Sequence, residues 1–288
     1  MVETVVRPRG PYALALCARA GGDATRAFVD GVLVASLPVP GGAERALARQ
    51  LPDGSLLLAA GTAWGLDRLR FCLAVDDDHS EFLRRFGRDP LLGPAILRLR
   101  GLRPLRLATV AHALLRALCG QLIEARLARA IERRIVRATT SATAGLHAPP
   151  READLARLAP AELRALGLPA RRAATLVRLC RAGELERLRE LPTGVAASRL
   201  ERERGLGPWS SGVVCLEGLG RYERGLVGDL GLVKLVSSLR GRPAEAWETE
   251  ELLAPYGEWA GLASVYLLAG LARGLAPLPR RRPSIPSG

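Results

Sequence analysis

The residues whose types and spacing could support chemistry lie between Leu200 and Lys234, in a stretch that reads as helix, glycine turn and helix. The turn is the segment RGLGP at 204–208, where two glycines leave the backbone amides bare and Pro208 opens the second helix. Amides at a helix N-terminus attract anions such as phosphate. About twenty residues further on, Asp229 begins another apolar helix, so a carboxylate follows the predicted phosphate-binding turn.

The composition predicts a folded protein with a polyanionic partner. The chain has 288 residues, 48% of them hydrophobic, which suffices for a sizeable core in one large or two medium domains. The net charge of +13 and the pI of about 10.8 favour nucleic acid over a membrane surface. Lys234 is the only lysine among many arginines, a skew that a GC-rich genome would also produce, so the charge permits this interpretation without deciding it.

The residue types that ligate metals are scattered. The cysteines lie in separate apolar runs without a CxxC spacing, which predicts buried free thiols in a reducing cytosol rather than an iron–sulfur cluster. An acidic triplet at 76–78 is interpreted as the cap of the helix that follows it. The cysteines and histidines are Cys17, Cys72, Cys119, Cys180, Cys215, His79, His112 and His147.

Neither end of the chain nor its apolar runs predict a membrane protein. Residues 1–10 are polar and basic, without the apolar centre of a signal peptide. The longest uncharged apolar run, 262–272, is too short to cross a bilayer. We therefore expect a soluble cytoplasmic protein, associated with the nucleoid if its partner is DNA.

Residues 1–78 are predicted to form an antiparallel sheet with one covering helix. Asp-Gly and Gly-Gly pairs at 30–31, 41–42 and 53–54 punctuate short apolar runs as turns. Ala43–Gln50 reads as the helix, and no catalytic residue types cluster here, so the region is interpreted as a scaffold. The predicted strands are 12–18, 27–34 with Leu37, 55–60 and 69–75.

Residues 79–275 are predicted to be helical, because apolar residues recur at helical spacing between prolines and glycines. The helices near 109–118 and 121–137 are separated by a glycine break at which Gln121 and Leu122 could project. The alternative for Leu122 is an ordinary core position. The tail, 276–288, is rich in proline, arginine and serine and is predicted to be disordered.

Several short segments occur in an order that carries a resemblance: DPLLGP (89–94), CGQL (119–122), LGLPARRA (166–173), GLGPWS (205–210), GDLGL (228–232) and PYGEWAGLA (255–263). Together they resemble the helix–hairpin–helix superfamily of DNA glycosylases, specifically the alkylbase type called 3-methyladenine DNA glycosylase II. The likeness extends from about residue 80 to 272. It implies an α+β fold, with a TATA-binding-protein-like sheet domain at 1–78 and an all-α helix–hairpin–helix glycosylase domain at 79–275.

The resemblance also implies a partner and the residues that contact it. The partner would be double-stranded DNA containing a damaged base, which the enzyme flips out of the duplex. Hairpin amides would hold a phosphate, and Leu122 matches the wedge that fills the gap. The residues implied to contact DNA are Gly205, Leu206, Gly207, Trp209, Gln121 and Leu122. The backbone carbonyls implied to hold a structural Na⁺ or K⁺ are those of Glu201, Glu203 and Leu206.

Asp229 matches the family's catalytic aspartate. The sugar develops positive charge as the base leaves, and a carboxylate beside it stabilises that charge. The alternative is an ordinary helix cap. The residues implied to form the substrate pocket are Trp209, Val213 and Trp259, with core packing as the alternative for Trp259. Val213 stands where relatives can have a tyrosine, which would make the pocket roomier.

The absence of a lysine from the hairpin discriminates between two chemistries. Relatives that also cut the strand carry a Schiff-base lysine at the position of Trp209, and here the sole lysine is Lys234. The missing lysine therefore predicts a monofunctional hydrolase, and the resemblance implies a monomer that acts on alkylated purines without a catalytic cofactor. The alternatives are a glycosylase/lyase for oxidised purines and a non-catalytic helix–hairpin–helix module that binds DNA.

Overall fold

A five-stranded antiparallel sheet forms the N-terminal part of the computed structural model, which describes residues 1–19 and 23–275. The strand order is β1-β5-β4-β3-β2. The Asp30-Gly31 turn joins β2 to β3 with both residues at positive φ, as the sequence predicts for a tight hairpin. The strands are β1 Val2–Val6, β2 Arg26–Val29, β3 Val32–Val39, β4 Gly42–Gln50 and β5 Leu56–Ala60.

The segment 43–50, predicted as a helix, is instead the central part of this sheet. It pairs with β3 on one side and with β5 on the other. Ala46 and Ala48 are fully buried while Arg45 and Arg49 are exposed, which is the two-residue alternation of a strand. Good helix formers here adopt the strand because the pairing on both edges outweighs their local preference.

Two segments predicted as strands are helices that cover one face of the sheet. Residues 12–18 contain α1, Leu14–Arg19, and residues 69–75 contain the end of α2, Ala63–Leu73. Thr62 caps α2 by accepting the amide of Gly65. Leu66, Leu69 and Leu73 recur at helical spacing and are buried. In the sequence this helical period was hidden, because the apolar residues of 69–75 also resemble the alternation of a strand. The strand β1 was not predicted, because its residues read as polar and basic.

The remainder of the chain is helical, as predicted, apart from the short hairpin of β6, Ala142–Thr143, and β7, Leu146–His147. The helices are α3 Ser80–Phe86, α4 Gly93–Arg98, α5 Val110–Gly120, α6 Ala125–Thr139, α7 Glu152–Ala156, α8 Pro160–Ala165, α9 Ala170–Ala182, α10 Thr193–Glu201, α11 Pro208–Val213, α12 Leu230–Arg240, α13 Glu248–Leu253 and α14 Ala260–Leu271. A π-helical turn, Val214–Leu219, continues α11, and 3₁₀ turns occupy Glu186–Glu190 and Ala254–Trp259.

Helix α5 forms the centre of the helical part. Its residues 110–119 are all buried, and α6, α9 and α11 pack around it. One hydrophobic core therefore surrounds α5, and a second lies between the sheet, α1 and α2. Leu105 and Ala108 belong to the second core although they follow residue 78, so the domain boundary stays a prediction.

Buried arginines and the acidic triplet join the two cores. The guanidinium of Arg103 is buried and donates to the carbonyls of Ala74 and Pro11. Asp78 accepts the amide of Ser80 at the start of α3, which agrees with the predicted cap. Asp77 instead accepts from Arg106 and Tyr222.

Two further expectations concern cysteine and the membrane. All five cysteines are free and buried, as predicted. Within the described residues, every helix is too short or too polar to cross a bilayer. The predicted disordered tail, 276–288, lies outside the described residues.

Candidate active site

The glycine turn joins α10 to α11 and takes the form of a tight hairpin. Gly205 has a φ of +93°, a conformation that a side chain would strain. Leu206 is buried beneath the turn, and its amide donates to the carbonyl of Glu203 at 3.0 Å. Gly207 caps α11, and a Cβ built there would meet nothing within 4 Å. The space above Gly207 is therefore open to a ligand that approaches the backbone.

Gln121 braces this hairpin from the neighbouring break between α5 and α6. Its amide nitrogen donates to the carbonyl of Gly205 at 2.7 Å and to the hydroxyl of Ser210 at 2.9 Å. Thr175 donates to the carbonyl of Arg204 from a third side. The side chain of Gln121 is thus committed to the hairpin, and a direct DNA contact by it stays a prediction.

Leu122 projects from the same break and is 79% exposed. Its φ of +55° is unusual for leucine and costs conformational energy. The alternative reading of Leu122 as a core residue is therefore wrong, since it packs against no core. An exposed apolar side chain in a strained loop beside the hairpin is compatible with a wedge.

Asp229 lies directly beside the hairpin. Its Oδ2 accepts the indole N–H of Trp209 at 3.0 Å, and its Oδ1 accepts the amide of Gly231 at 2.8 Å. The second contact caps α12, and Gly228 turns the chain into it with a φ of +84°. The structure therefore shows the helix cap, while the other oxygen faces Trp209 and the catalytic role of Asp229 stays a prediction.

A cavity of about 770 Å³ opens between these elements. Asp229, Trp209, Val213 and the glycines of the hairpin line it together with Leu122 and Gln121. Gly120 lies under the indole, since a Cβ there would be 2.6 Å from Cη2 of Trp209. The structure thus gathers most of the predicted site residues around one concave space of the size of small-molecule sites.

Trp259 is not among the described residues that line this cavity, so its predicted place in the substrate pocket is not supported. Its ring packs with Phe82 at 5.8 Å and stacks on Tyr222 at 6.2 Å between centroids. Its indole nitrogen is buried with no hydrogen-bond partner among the described residues. The alternative, core packing, describes Trp259, because the 3₁₀ turn Ala254–Trp259 places its ring against the helical core.

The floor of the cavity is charged, which the sequence analysis did not anticipate. Arg116, on the buried helix α5, donates to Glu132 at 2.9 Å, to Glu217 at 2.5 Å and to Asp23 at 2.6 Å. Arg129 donates to Glu132 at 3.1 Å from one turn earlier on α6. We call Arg116, Arg129, Glu132 and Glu217 the charged floor, because all four line the cavity.

The ion pairs of the charged floor keep its carboxylates ionised. Burial alone would raise the pKa of Glu132, but Arg116 and hydrogen bonding to His112 hold that pKa well below its usual range. Burial likewise opposes ionisation of Glu217, yet Arg116 and Arg129 lower its pKa. The base of the cavity therefore presents fixed charges rather than an apolar surface.

One group of metal-ligating types occurs in this network but does not fit a metal. Atoms of Asp23, His112 and Glu132 lie within 4.8 Å of one another. The guanidinium of Arg116 already bonds to Asp23 and Glu132, and a cation there would repel a second one. This cluster is an ion-pair network.

The contacts of the described residues neither support nor exclude the predicted cation site at the hairpin. The carbonyl of Glu203 accepts the amide of Leu206, while the carboxylates of Glu201 and Glu203 bond to Ser211 and Arg178. Lone pairs on these backbone carbonyl oxygens remain available to a cation. The Na⁺ or K⁺ at the hairpin therefore stays a prediction.

The sole lysine also faces the candidate site. Lys234 lies on α12 after Asp229, is exposed, and lines the cavity. Sequence spacing placed it one turn beyond Asp229 but did not predict that it would border the same space.

Comparison with known proteins supports a relationship over most of the chain. A DNA-3-methyladenine glycosylase of Bacillus subtilis is 27% identical over 205 residues, 67% of each chain. No protein-family model matches the sequence.

Solved structures share the fold across nearly the whole length. A 3-methyladenine DNA-glycosylase from Archaeoglobus fulgidus has a TM-score of 0.82 at 20% identity, covering 93% of this chain and 97% of that one. The 8-oxoguanine glycosylase/lyase of Clostridium acetobutylicum, solved with double-stranded DNA, has a TM-score of 0.76 at 16% identity, covering 95% of this chain and 98% of that one. With the braced hairpin and Asp229 in place, the chain shares the fold of these DNA glycosylases and is similar in sequence to a DNA-3-methyladenine glycosylase.

Proposed function

We propose that the protein is a monofunctional DNA glycosylase of base excision repair, which hydrolyses the N-glycosidic bond of flipped-out alkylated purines of the 3-methyladenine type. The observation that carries this proposal is the position of Asp229, whose carboxylate is 3.0 Å from the indole nitrogen of Trp209 at the mouth of the cavity. The B. subtilis relative bears the name of this activity.

The hairpin would fix the DNA strand in the first step. The amides of Gly207 and Trp209 flank Pro208 at the start of helix α11, where the positive end of the helix attracts a phosphate without reading sequence. The open space above Gly207 lets the backbone come close. Leu122, exposed at the neighbouring break, would enter the base stack as the damaged nucleotide leaves it.

Asp229 would then stabilise the positive charge that develops on the deoxyribose. Its two hydrogen bonds fix the carboxylate before the substrate arrives, so little reorganisation is needed during bond cleavage. The remaining lone pairs of Asp229 can orient the attacking water. Trp209 offers an electron-rich face beside the same space, where a cationic alkylated base would be favoured as a leaving group.

The test is base release from duplexes that each carry one damaged base, scored as abasic sites. Wild type should release an alkylated purine, and Asp229→Asn should lower the rate about a hundredfold or more while DNA binding persists. Asparagine also caps helices, so folding should be preserved. The matched control is Asp154→Asn, which changes an aspartate at the start of α7, away from the cavity. Equal rates for the two variants would contradict the proposal.

The charged floor favours a second candidate function, the removal of oxidised purines. Glu217 uses one carboxylate oxygen for Arg116, and Arg129 uses one terminal nitrogen for Glu132. Within residues 1–19 and 23–275, the other Glu217 oxygen and the other Arg129 nitrogens make no hydrogen bond, and both side chains are partly exposed. They could read the edge of a neutral base, so a higher rate on oxidised guanine than on methylated adenine would support this function.

The lyase form of that alternative has a direct test. Trp209 occupies the position at which strand-cutting relatives carry lysine, so we expect borohydride to trap no covalent adduct with DNA. Because Lys234 lines the cavity, the control is Lys234→Arg. Robust trapping by wild type that disappears in this variant would overturn the monofunctional assignment.

The finer organisation follows from the same proposal. We infer a TATA-binding-protein-like sheet domain at 1–78 and a glycosylase domain at 79–275. The partner would be double-stranded DNA with a damaged base, bound by a monomer at the nucleoid in the cytoplasm. A structural Na⁺ or K⁺ at the hairpin carbonyls of Glu201, Glu203 and Leu206 belongs to this proposal, and a change in DNA affinity between sodium, potassium and tetramethylammonium salts would test it.

A further inference from the structure

A second groove, of about 390 Å³, lies away from the candidate active site. It is lined by Trp64, Asp67, Arg68, Phe71, Arg189 and Leu219. Leu219 ends the helical run that begins at Pro208, and twelve residues at the rise of an α-helix span roughly 18 Å. The groove and the DNA-binding hairpin are therefore at opposite ends of one helix.

The aromatic side of the groove is held in place and remains accessible. Trp64 is 53% exposed, although its indole N–H donates to the carbonyl of Pro38 at 3.2 Å. The guanidinium of Arg68 lies 5.7 Å from the centre of the Trp64 ring and 5.5 Å from that of Phe71. An exposed tryptophan that is hydrogen-bonded to the sheet presents a fixed stacking surface.

Arg68 brings a positive charge without a counter-ion. Among residues 1–19 and 23–275 no carboxylate lies within ion-pair distance of it and no group accepts its hydrogen bonds. The guanidinium carbons of Arg68 and Arg189 lie 5.5 and 4.7 Å from the centre of the Phe71 ring, so both groups border the same side chain. Burial, and then the charge of Arg189, lowers the pKa of Arg68. Its cation–π contacts stabilise the charge but leave its N–H donors free.

Arg189 reaches the groove from the 3₁₀ turn that precedes α10. Its guanidinium carbon lies 4.7 Å from the centre of Phe71, and its Nε donates to Glu186 at 2.9 Å. Its Nη2 is buried with no partner in the part of the chain that the structure describes. A buried donor without an acceptor costs free energy, which a bound anion would recover.

We propose that this groove binds one nucleotide unit of a single DNA strand, with the phosphate between Arg68 and Arg189 and the base stacked on Trp64. Paired guanidinium donors suit a phosphate, and an exposed indole suits the face of a base. Bases in a duplex hide their faces in the stack, so the combination favours an unpaired strand. A strongly acidic peptide has no base to stack and would leave the exposed indole of Trp64 uncovered.

The first experiment maps the contact directly. The full chain is photo-cross-linked to a ten-nucleotide single strand carrying one 5-iododeoxyuridine, and the joined peptide is identified by mass spectrometry. We expect cross-links to the peptide containing Trp64, and their loss in Trp64→Ala. Cross-links confined to the hairpin residues 205–209 would overturn the proposal.

The second experiment measures affinity by fluorescence anisotropy with the same strand. Trp64→Ala should weaken binding about five- to a hundredfold, the range found for single base–aromatic stacks. Arg68→Gln with Arg189→Gln should also weaken binding and should lower the slope of log affinity against log salt by about one. The matched control is Arg98→Gln with Arg100→Gln, which removes the same charge from an exposed part of the surface near α4.

Two outcomes of these measurements contradict the proposal. Equal losses in the groove and control variants would show that only net charge matters. Displacement of a labelled strand by oligoglutamate but not by unlabelled oligothymidylate would show that the groove takes an acidic protein segment instead. Release of damaged bases from duplexes should be unchanged in Trp64→Ala, so failure of this proposal is distinguishable from failure of the proposed glycosylase activity.

Discussion

The mouth and the floor of the candidate active site differ in how they are built. At the mouth, the hairpin, Trp209 and Asp229 lie within a short stretch of chain, and Gln121 and Thr175 brace the hairpin from elsewhere in the sequence. At the floor, Arg116 joins Asp23, Glu132 and Glu217, which come from widely separated elements. The mouth is a local motif to which we assign the grip on DNA and bond cleavage, whereas the floor exists only in the folded chain and would select the base.

The largest expected effect is the loss of stability when the charged floor is disrupted. Arg116→Met should lower the free energy of unfolding by about 3–5 kcal/mol, because it leaves three carboxylates without their shared cation. Urea unfolding at neutral pH measures this change. Arg129→Met, which removes a single partly exposed ion pair, should cost no more than about 1 kcal/mol. Similar losses in the two variants would show that the floor is not organised around Arg116.

This contrast explains how much of the site could be predicted from sequence. The hairpin and Asp229 carry their signal in adjacent glycines and in a cap, so short-range rules predicted their conformation, whereas the catalytic role of Asp229 came from the resemblance and stays a prediction. The floor left one local trace, since His112 and Arg116 are four residues apart on an otherwise apolar helix and both bond to Glu132. Two polar residues on an apolar helix predict that a buried partner exists. They do not identify that partner, because its position depends on tertiary packing.

The same limit applies to the fold. The alternation of Ala46 and Ala48 was masked by helix-forming residues, and only pairing with both neighbouring strands makes β4 a strand. Trp259 matched a family segment, yet the 3₁₀ turn that it ends places it in an aromatic cluster with Phe82 and Tyr222. Element type along the helical part was predicted well because its apolar period is long and regular.

The next prediction tests the close contact between Gly120 at the end of α5 and the Trp209 ring at the mouth. Gly120→Ala should destabilise the protein by about 1–3 kcal/mol and slow base release, because the new methyl group would meet the Trp209 ring that bonds to Asp229. Gly194→Ala is the control, since it lies in α10 with nothing within 4 Å of the added Cβ. It should stabilise the fold by roughly 0.5–1 kcal/mol. Thermal unfolding would distinguish the two, and stabilisation by both would refute the close contact.

A smaller effect separates stability from function at the mouth. Leu122→Gly should raise the free energy of unfolding by about 1 kcal/mol, because glycine adopts the positive φ without strain. Base release from a duplex should nevertheless fall, and should fall less when the damaged base is already unpaired. A variant that gains stability and keeps full activity on paired substrates would remove Leu122 from the mechanism.

The smallest effect is the pH dependence of the floor. The pKa of Glu217 is lowered in the folded protein, so its stabilising contribution is complete above the unfolded pKa of about 4.3 and is lost as the pH falls through the lower folded value. Glu217→Gln should therefore flatten the decline in stability below about pH 4.3 and leave the slope of stability against pH unchanged between pH 6 and 8. An unchanged acid profile would argue that the carboxyl is not held ionised by its neighbours.

The chain's only lysine supplies a chemical handle on the same space. Lys234 borders the cavity, so in this chain an amine-reactive dye can attach there and otherwise only at the α-amino group. Labelling above neutral pH and blocking of the α-amine would leave a single fluorophore beside Asp229. Its quenching would report entry of a flipped base in real time, without substituting any residue of the protein.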